Sequence, residues 1–291
     1  MDYPATVTEL TRHLRGGGYL ADRGLATTLH VALALRRPVL LEGEVGVGKT
    51  EAAKVLAAVF GRKLIRLQCY EGISTSQALY EWDYARQMLQ IRALSQAEAT
   101  DEGSVDQLFG PKFLLERPLL EAVRQGGRAV LLIDEIDRAD DEFEAFLLEV
   151  LSDFQISIPE LGTVKADSSP VVILTSNRTR ELHDALRRRC LYHWIGYPTA
   201  EREAEIVAVR APGAPGQLIG KVVAAVQRLR ELDLAKPPGV AETIDWVRAL
   251  GVLGETELTR DAAADTIGAV VKDRDDLDVV RENMAGIVSG A

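Results

Sequence analysis

The residues best suited to chemistry form one glycine-rich loop that ends in lysine and threonine. In chain order they are Gly43, Glu44, Val45, Gly46, Val47, Gly48, Lys49 and Thr50, with the spacing G-x-x-x-x-G-K-T, followed by Glu51. Glycines let successive backbone N–H groups turn toward one anion, the lysine can reach the outer phosphates of a nucleotide, and the threonine hydroxyl can ligate Mg²⁺. The loop, through Glu51, is therefore predicted to bind a nucleoside triphosphate.

Two elements must hold this loop in place, and the sequence predicts both of them. The apolar residues 38–41 precede the loop as a strand, and residues 51–58 follow it as a helix. This context favours phosphate binding, because a helix that begins at the loop adds its partial positive charge. The alternative is a glycine-rich turn with a surface lysine, which the flanking strand and helix argue against.

Two acids end a second apolar run. Residues 129–133 are apolar, and Asp134 and Glu135 follow them. A carboxylate at the end of such a strand lies beside the phosphate loop, so Asp134 is predicted to hold Mg²⁺ through water and Glu135 to act as the base that polarises the attacking water. The alternative is a strand that ends in a polar turn, with Asp137 capping the next helix.

Two further candidates for catalysis follow later strands. Asn177 comes just after the apolar residues 171–174, where its amide could orient the water or touch the γ-phosphate, or could merely suit a turn. Arg187, Arg188 and Arg189 could be solvated or could cap the end of a helix. An arginine directed at the γ-phosphate of a neighbouring subunit raises the hydrolysis rate by about 10³ to 10⁵-fold, and we assign this role to Arg189.

The elements around these residues predict an α/β fold. Five strand-like runs alternate with helical stretches, which favours a mainly parallel P-loop sheet covered by helices on both faces; the runs are residues 38–41, 64–67, 129–133, 171–174 and 191–195. Two short helices are expected in residues 5–36, and a β-hairpin in residues 154–166.

Two domains are expected from the change in pattern near residue 197. Residues 1–196 would form the α/β nucleotide-binding domain, with insertions near residues 70–110 and 153–169. Residues 197–291 would form a small all-helical lid domain, whose later helices fall near residues 241–253, 259–272 and 276–289.

Composition limits the remaining possibilities. The 291 residues are 47% hydrophobic, without an apolar run of bilayer length or a signal peptide, so a cytoplasmic location and no membrane partner are expected. Cys69 and Cys190 are expected to be buried, reduced thiols, and the four histidines lack metal-site spacing. The net charge of −10 disfavours nucleic acid as a partner.

Taken together, the motifs resemble those of an AAA+ ATPase, and more narrowly one of the MoxR type. Residues 43–50 match its Walker A motif and residues 131–135 its Walker B motif. The narrower match depends on the segments Phe109-Gly110-Pro111, residues 134–139, residues 147–149 and residues 185–192. The nearest likeness is to the subgroup linked to maturation of carbon monoxide dehydrogenase.

This resemblance implies roles that the residues alone do not establish. It implies an ATP- and Mg²⁺-dependent chaperone that forms a ring, expected to be a hexamer, with Asn177 as sensor 1 and Arg189 as arginine finger. It also implies a protein client and a partner with a von Willebrand factor A domain. Tyr80 to Tyr84 and Phe154 to Lys165 would then contact the client, although the aromatic residues could equally pack the insertion itself.

One departure from the family pattern concerns the lid. MoxR-type proteins usually carry a sensor 2 arginine at the start of a lid helix, whereas residues 237–243 contain no arginine and the next is Arg248. Either Arg248 or another lid residue substitutes for it, or the coupling of the lid to nucleotide is weaker.

The predicted function is therefore that of an oligomeric ATPase that remodels a protein client. Two alternatives use the same core: a DNA-directed motor subunit, which the acidic balance argues against, and a nucleotide-gated switch with slow hydrolysis, which the sequence leaves open. A GTPase is disfavoured, because no N-K-x-D segment follows the core strands.

Overall fold

The computed structural model describes residues 3–95, 109–159 and 161–289. The described residues form two compact units. The first, here called the sheet unit, comprises Met1–Leu10, Arg23–Glu42 and Ala53–His193. The second, here called the helical unit, comprises Thr11–Asp22, Gly43–Ala52 and Trp194–Ala291. The phosphate loop thus belongs to the same unit as the C-terminal helices.

The strands of the described residues fall into three sheets. They are β1 Val39–Gly43, β2 Lys63–Gln68, β3 Tyr80–Trp82, β4 Leu114–Glu116, β5 Ala129–Asp134, β6 Gln155–Ile158, β7 Gly162–Lys165, β8 Val171–Ser176 and β9 Leu191–Ile195. The main sheet has the order β2-β5-β8-β1-β9, and β2, β5, β8 and β1 pair in parallel. The predicted α/β fold with a mainly parallel sheet is confirmed.

The helices of the described residues complete the fold. They are α1 Val7–Gly16, α2 Arg23–Leu35, α3 Lys49–Val59, α4 Thr75–Ala78, α5 Tyr84–Ser95, α6 Pro118–Gln125, α7 Asp141–Asp153, α8 Asp184–Arg189, α9 Ala200–Arg210, α10 Gly216–Glu231, α11 Val240–Val252, α12 Arg260–Thr266 and α13 Arg274–Ser289. The helix expected over residues 259–272 is shorter, because a 3₁₀ turn at Ile267–Ala269 follows α12.

The central strands form because their side chains are apolar and buried on both faces. Every residue of β1 and of β5 is buried, as expected for inner strands of a parallel sheet. At the edge, β2 alternates instead and exposes Arg66. The register pairs Glu42 with Ser176 and Ile133 with Leu174, so β1, β5 and β8 end at the same edge of the sheet.

Two smaller sheets elaborate the sheet unit. In the first, β3 and β4 pair antiparallel, and the Trp82 ring packs edge-on against Tyr80 and Phe109 at centroid distances of 6.2 and 5.3 Å. Residues 96–108 of the insertion predicted near residues 70–110 lie outside the described residues. In the second, β6 and β7 form the predicted hairpin, which buries Ile156 and Ile158.

The helical unit has its own core of aliphatic side chains around Trp246, which is fully buried. The indole Nε1–H of Trp246 donates to Thr266 Oγ1 at 2.8 Å, so its polar atom is satisfied. Among the residues that the structure describes, no helix combines the length and apolar character needed to cross a bilayer.

Candidate nucleotide-binding site

The phosphate loop has the backbone that its glycines were predicted to allow. Gly46 and Gly48 adopt φ values of +76° and +93°, a region that residues with a β carbon avoid. The Lys49 ammonium is almost buried and donates to the carbonyls of Gly43 and Glu44 at 2.8 and 2.6 Å. Since α3 begins at Lys49, the loop leads directly into a helix N-terminus, which is the arrangement that binds phosphate.

An arginine from the C-terminal helices contacts Glu51, the residue that follows the G-x-x-x-x-G-K-T sequence. The carboxylate of Glu51 accepts from Arg210 Nη1 at 2.7 Å. Arg248, in α11, donates to the Arg210 carbonyl at 2.7 Å and lies 3.8 Å from Asp245. Both of these contacts join Arg248 to residues outside the phosphate loop.

At the end of β5, in the sheet unit, Asp134 is buried and held by two neighbours. Its Oδ1 accepts from Thr175 Oγ1 at 2.5 Å, and its Oδ2 accepts from Arg66 Nε and Nη2 at 2.9 and 2.6 Å. Both oxygens therefore carry protein hydrogen bonds. Such a carboxylate suits a metal ion held through water, as Mg²⁺ often is.

Glu135 has a different setting from its neighbour. Its backbone is left-handed, with φ +55°, and its N–H donates to Thr175 Oγ1 at 3.0 Å. The turn points the carboxylate to the surface, where it is one-third exposed and lies 3.0 Å from Arg138 Nε. A carboxylate with access to water can polarise an attacking water molecule, which is the role predicted for it.

Asn177 is positioned by Asp137, a residue whose role the sequence did not reveal. Asp137 Oδ2 accepts from the N–H groups of Asn177 and Thr179 at 3.2 and 2.9 Å, and from Thr179 Oγ1 at 2.8 Å. Within the described parts of the chain, the Asn177 side chain makes no hydrogen bond. Asp137 does not cap α7, because the carboxylate that caps this helix belongs to Asp140.

The three arginines of α8 differ in their contacts. Arg189 Nη2 donates to the carbonyls of Ser152 and Leu151 at 2.8 and 3.4 Å. Arg187 lies 5.9 Å from the Tyr192 ring, and the exposed Arg188 side chain has no hydrogen bond or ion pair to any other described residue. Arg37 donates to the carbonyls of Arg188 and Arg189 at 2.8 and 3.0 Å, and so fixes the end of α8.

The two cysteines are free and buried, as predicted. Burial raises the pKa of each thiol to about 12; near Cys69 the charge of Asp134 adds to the effect, while near Cys190 the charges of Arg37 and Arg189 oppose it. Neutral thiols are poor nucleophiles and poor metal ligands.

The side chains present suit Mg²⁺ better than a metal ion whose ligands all come from the protein. In the described ranges, no group of three or more His, Cys, Asp or Glu side chains could hold a metal ion. Mg²⁺ needs few protein ligands, because it keeps several waters and takes oxygens from phosphates.

Comparison with known proteins found a family model and several similar proteins. The family model described as AAA domain (dynein-related subfamily) matches residues 38–190. Protein NorQ of Paracoccus denitrificans is 25% identical over 197 residues, which is 65% of this chain and 64% of NorQ. Chaperone protein ClpB of Bacillus cereus is 33% identical over 140 residues, which is 46% of this chain and 13% of ClpB. A point mutant of Thermotoga maritima RuvB aligns over 99% of this chain and 81% of its own, with 17% identity and a TM-score of 0.48.

Proposed function

This chain belongs to the AAA domain family of ATPases, in its dynein-related subfamily, and from that premise we propose that it is a Mg²⁺-dependent ATPase whose ring remodels a protein client. The observation that carries the proposal is the phosphate loop, with its two left-handed glycines, its buried lysine and the helix that begins at that lysine. These are the features by which a main chain and one cation cradle a triphosphate.

Each residue of the proposed site has a defined task. The backbone of residues 43–51 binds the phosphates of ATP, and Lys49 exchanges its loop carbonyls for phosphate oxygens. Thr50 and Asp134 would hold Mg²⁺, which would neutralise charge on the phosphates. Glu135 polarises the attacking water and Asn177 orients it.

The ring follows from an arginine that acts in trans. If Arg189 stabilises the γ-phosphate of a neighbouring subunit, each active site needs two copies of this chain, and a closed ring, expected to be a hexamer, supplies every site. AAA proteins typically form such rings.

The biological setting is proposed from resemblance. The MoxR-like segments and the distant similarity to NorQ and ClpB support a chaperone role, with a von Willebrand factor A partner and a client that matures as a metalloenzyme, such as carbon monoxide dehydrogenase. The chain spans only 64% of NorQ and 13% of ClpB, so we attribute activities of those whole proteins to this chain only as proposals.

The test is ATP turnover per protomer as a function of protein concentration, in Mg²⁺ and without a partner. We expect the rate per protomer to rise cooperatively, because each site is shared. Glu135→Gln should bind ATP and hydrolyse it about 10²- to 10⁴-fold more slowly, and Lys49→Ala should lose binding. A flat rate near zero in the wild type, despite tight ATP binding, would contradict the proposal and favour a nucleotide-gated switch.

A further inference from the structure

The phosphate loop touches the start of α11 through main chain, and the Glu242 carboxylate lies beside the same contact. A β carbon placed on Gly239, the residue before α11, would lie 2.5 Å from Val45 O and 2.7 Å from Gly46 Cα. A β carbon placed on Gly46 would lie 3.0 Å from Gly239 Cα. Real β carbons essentially never come as close to backbone atoms as 2.5 or 2.7 Å, so position 239 needs glycine for this contact. At position 46, a β carbon would also lie 2.8 Å from Glu242 Oε2, and the φ of +76° itself favours glycine.

Hydrogen bonds hold the two segments in register. The Ala241 N–H, in the first turn of α11, donates to Gly46 O at 3.1 Å. Glu242 Oε2 accepts from the Gly239 N–H at 2.9 Å, which closes the N-terminal turn of the helix. Glu242 therefore fixes the shape of the backbone that the loop contacts, and the helix is joined to the loop by its own backbone.

A buried ion pair supports the contact from behind. Arg230 Nε donates to Pro238 O at 2.7 Å, and its Nη1 and Nη2 donate to the Glu203 carboxylate at 2.7 and 2.8 Å. Thr243 Oγ1 lies 2.6 Å from Glu203 Oε1 and 3.1 Å from Gly239 O. Glu203 is completely buried, so the segment before α11 has little freedom to move away from the loop.

We propose that the Gly46–Gly239 contact couples nucleotide bound at the phosphate loop to α11, with Glu242 as the positioning residue. The inference rests on the proposed function, since it needs a nucleotide at the loop. The loop backbone binds phosphates through its N–H groups, while its Gly46 carbonyl accepts from the Ala241 N–H. Nucleotide and α11 therefore contact the same stretch of main chain. Side chains in contact can adapt through rotamers, whereas two main chains that touch directly must move together.

The test measures amide hydrogen exchange in α11 of the full chain, with and without ADP. Occupancy is checked first with a fluorescent ADP, and each variant is then saturated, so that weaker binding is not mistaken for lost coupling. In the wild type we expect ADP to slow exchange in α11 about 5- to 100-fold, within the usual range of coupling between sites.

Two glycines supply the decisive comparison. Gly239→Ala should separate loop and helix, so that saturating ADP no longer changes exchange in α11. Gly251→Ala, in the same helix, is the matched control, because a β carbon there would meet no heavy atom of the described residues within 4 Å. It should keep the full ADP effect. Equal ADP effects in the two variants, or no effect in the wild type, would overturn the proposal.

A second pair keeps the test decisive if Gly239→Ala fails to fold. Glu242→Gln retains an oxygen that can accept from the Gly239 N–H and should keep most of the ADP effect, whereas Glu242→Ala should lose it. Similar behaviour of these two variants would also overturn the proposal. A wild-type chain that does not bind fluorescent ADP would instead overturn the proposed function, and this result appears before any exchange is measured.

Discussion

Arg66 and Asp134 are joined across neighbouring strands of the sheet by two hydrogen bonds to one carboxylate oxygen. Their strands, β2 and β5, are parallel, and the register places Arg66 beside Leu132, two residues before Asp134. The carboxylate is 3% exposed and the arginine about half exposed, so the guanidinium covers a buried negative charge from the solvent side. The pair therefore fixes the position of the Asp134 carboxylate at the strand end.

Arg66→Ala should therefore destabilise the protein by about 1 to 2 kcal/mol, because it removes two hydrogen bonds to the buried Asp134 carboxylate. Lys63→Ala on the same strand is the matched control. Lys63 pairs with Glu121 at the surface, and its loss should cost no more than about 0.5 kcal/mol. Denaturant unfolding of both variants measures the difference. Equal losses would mean that Asp134 does not depend on Arg66.

Asp137→Asn should lower the rate of ATP hydrolysis about tenfold and leave ATP binding unchanged, since Asp137 positions the backbone of Asn177 and Thr179 and is not among the residues proposed to bind ATP. The charge-assisted bonds to their N–H groups weaken when the carboxylate becomes an amide. Steady-state kinetics, read as kcat separately from KM, provide the measurement.

Asp140→Ala controls for the loss of a carboxylate in the same loop. Asp140 caps α7 through the Phe143 N–H at 2.8 Å, so its removal should cost about 1 kcal/mol of stability and leave kcat unaffected. If both variants lowered kcat alike, the effect would come from general loosening of the loop, and the positioning role of Asp137 would be wrong.

Both thiols should resist alkylation in the folded protein. Each pKa is raised to about 12, so the reactive thiolate is a fraction of about 10⁻⁴ at pH 8, and burial blocks the reagent as well. Iodoacetamide followed by mass spectrometry should label neither Cys69 nor Cys190 in buffer, and both in concentrated guanidinium chloride. Rapid labelling of the native protein would show that one thiol is more accessible than its burial implies.

The sequence predicted the elements better than the contacts between them. The phosphate loop and the inner strands were predictable because their signals are local: glycine spacing in one case and continuous apolar runs in the other. Arg66 pairs with a carboxylate 68 residues away, and Asp137 accepts from Asn177 40 residues away. Such pairs depend on strand order and register, which local patterns do not encode.

The arginine finger illustrates the same limit, because three adjacent arginines are equivalent in sequence and different in structure. Arg189 donates to carbonyls at the end of α7, whereas Arg188 is exposed without such a contact to any described residue. To act on a neighbouring subunit, Arg189 would have to leave Ser152. We expect Arg189 to do so. The Arg189→Ala variant should bind ATP but hydrolyse it about 10³-fold or more slowly than the wild type.

Arg188→Ala is the matched control, because it removes the same charge from the same turn of helix and should leave hydrolysis within about twofold of wild type. The two variants are compared at a protein concentration where the wild type has reached its full rate per protomer. If Arg188→Ala loses hydrolysis and Arg189→Ala keeps it, the role belongs to Arg188.

Mixing two inactive variants tests whether the arginine acts in trans. Lys49→Ala chains lack a working phosphate loop but carry Arg189, and Arg189→Ala chains have the reverse defect. In a mixed ring, an Arg189→Ala chain supplies an intact phosphate loop and can receive Arg189 from a Lys49→Ala neighbour. Such a site is complete, so the mixture should hydrolyse ATP although neither variant does so alone. Random mixing at equal amounts makes about one site in four complete, because each site needs an intact loop and an intact neighbour. A mixture that stays inactive, while the two variants co-assemble, would place the arginine in the same subunit as the nucleotide it acts on.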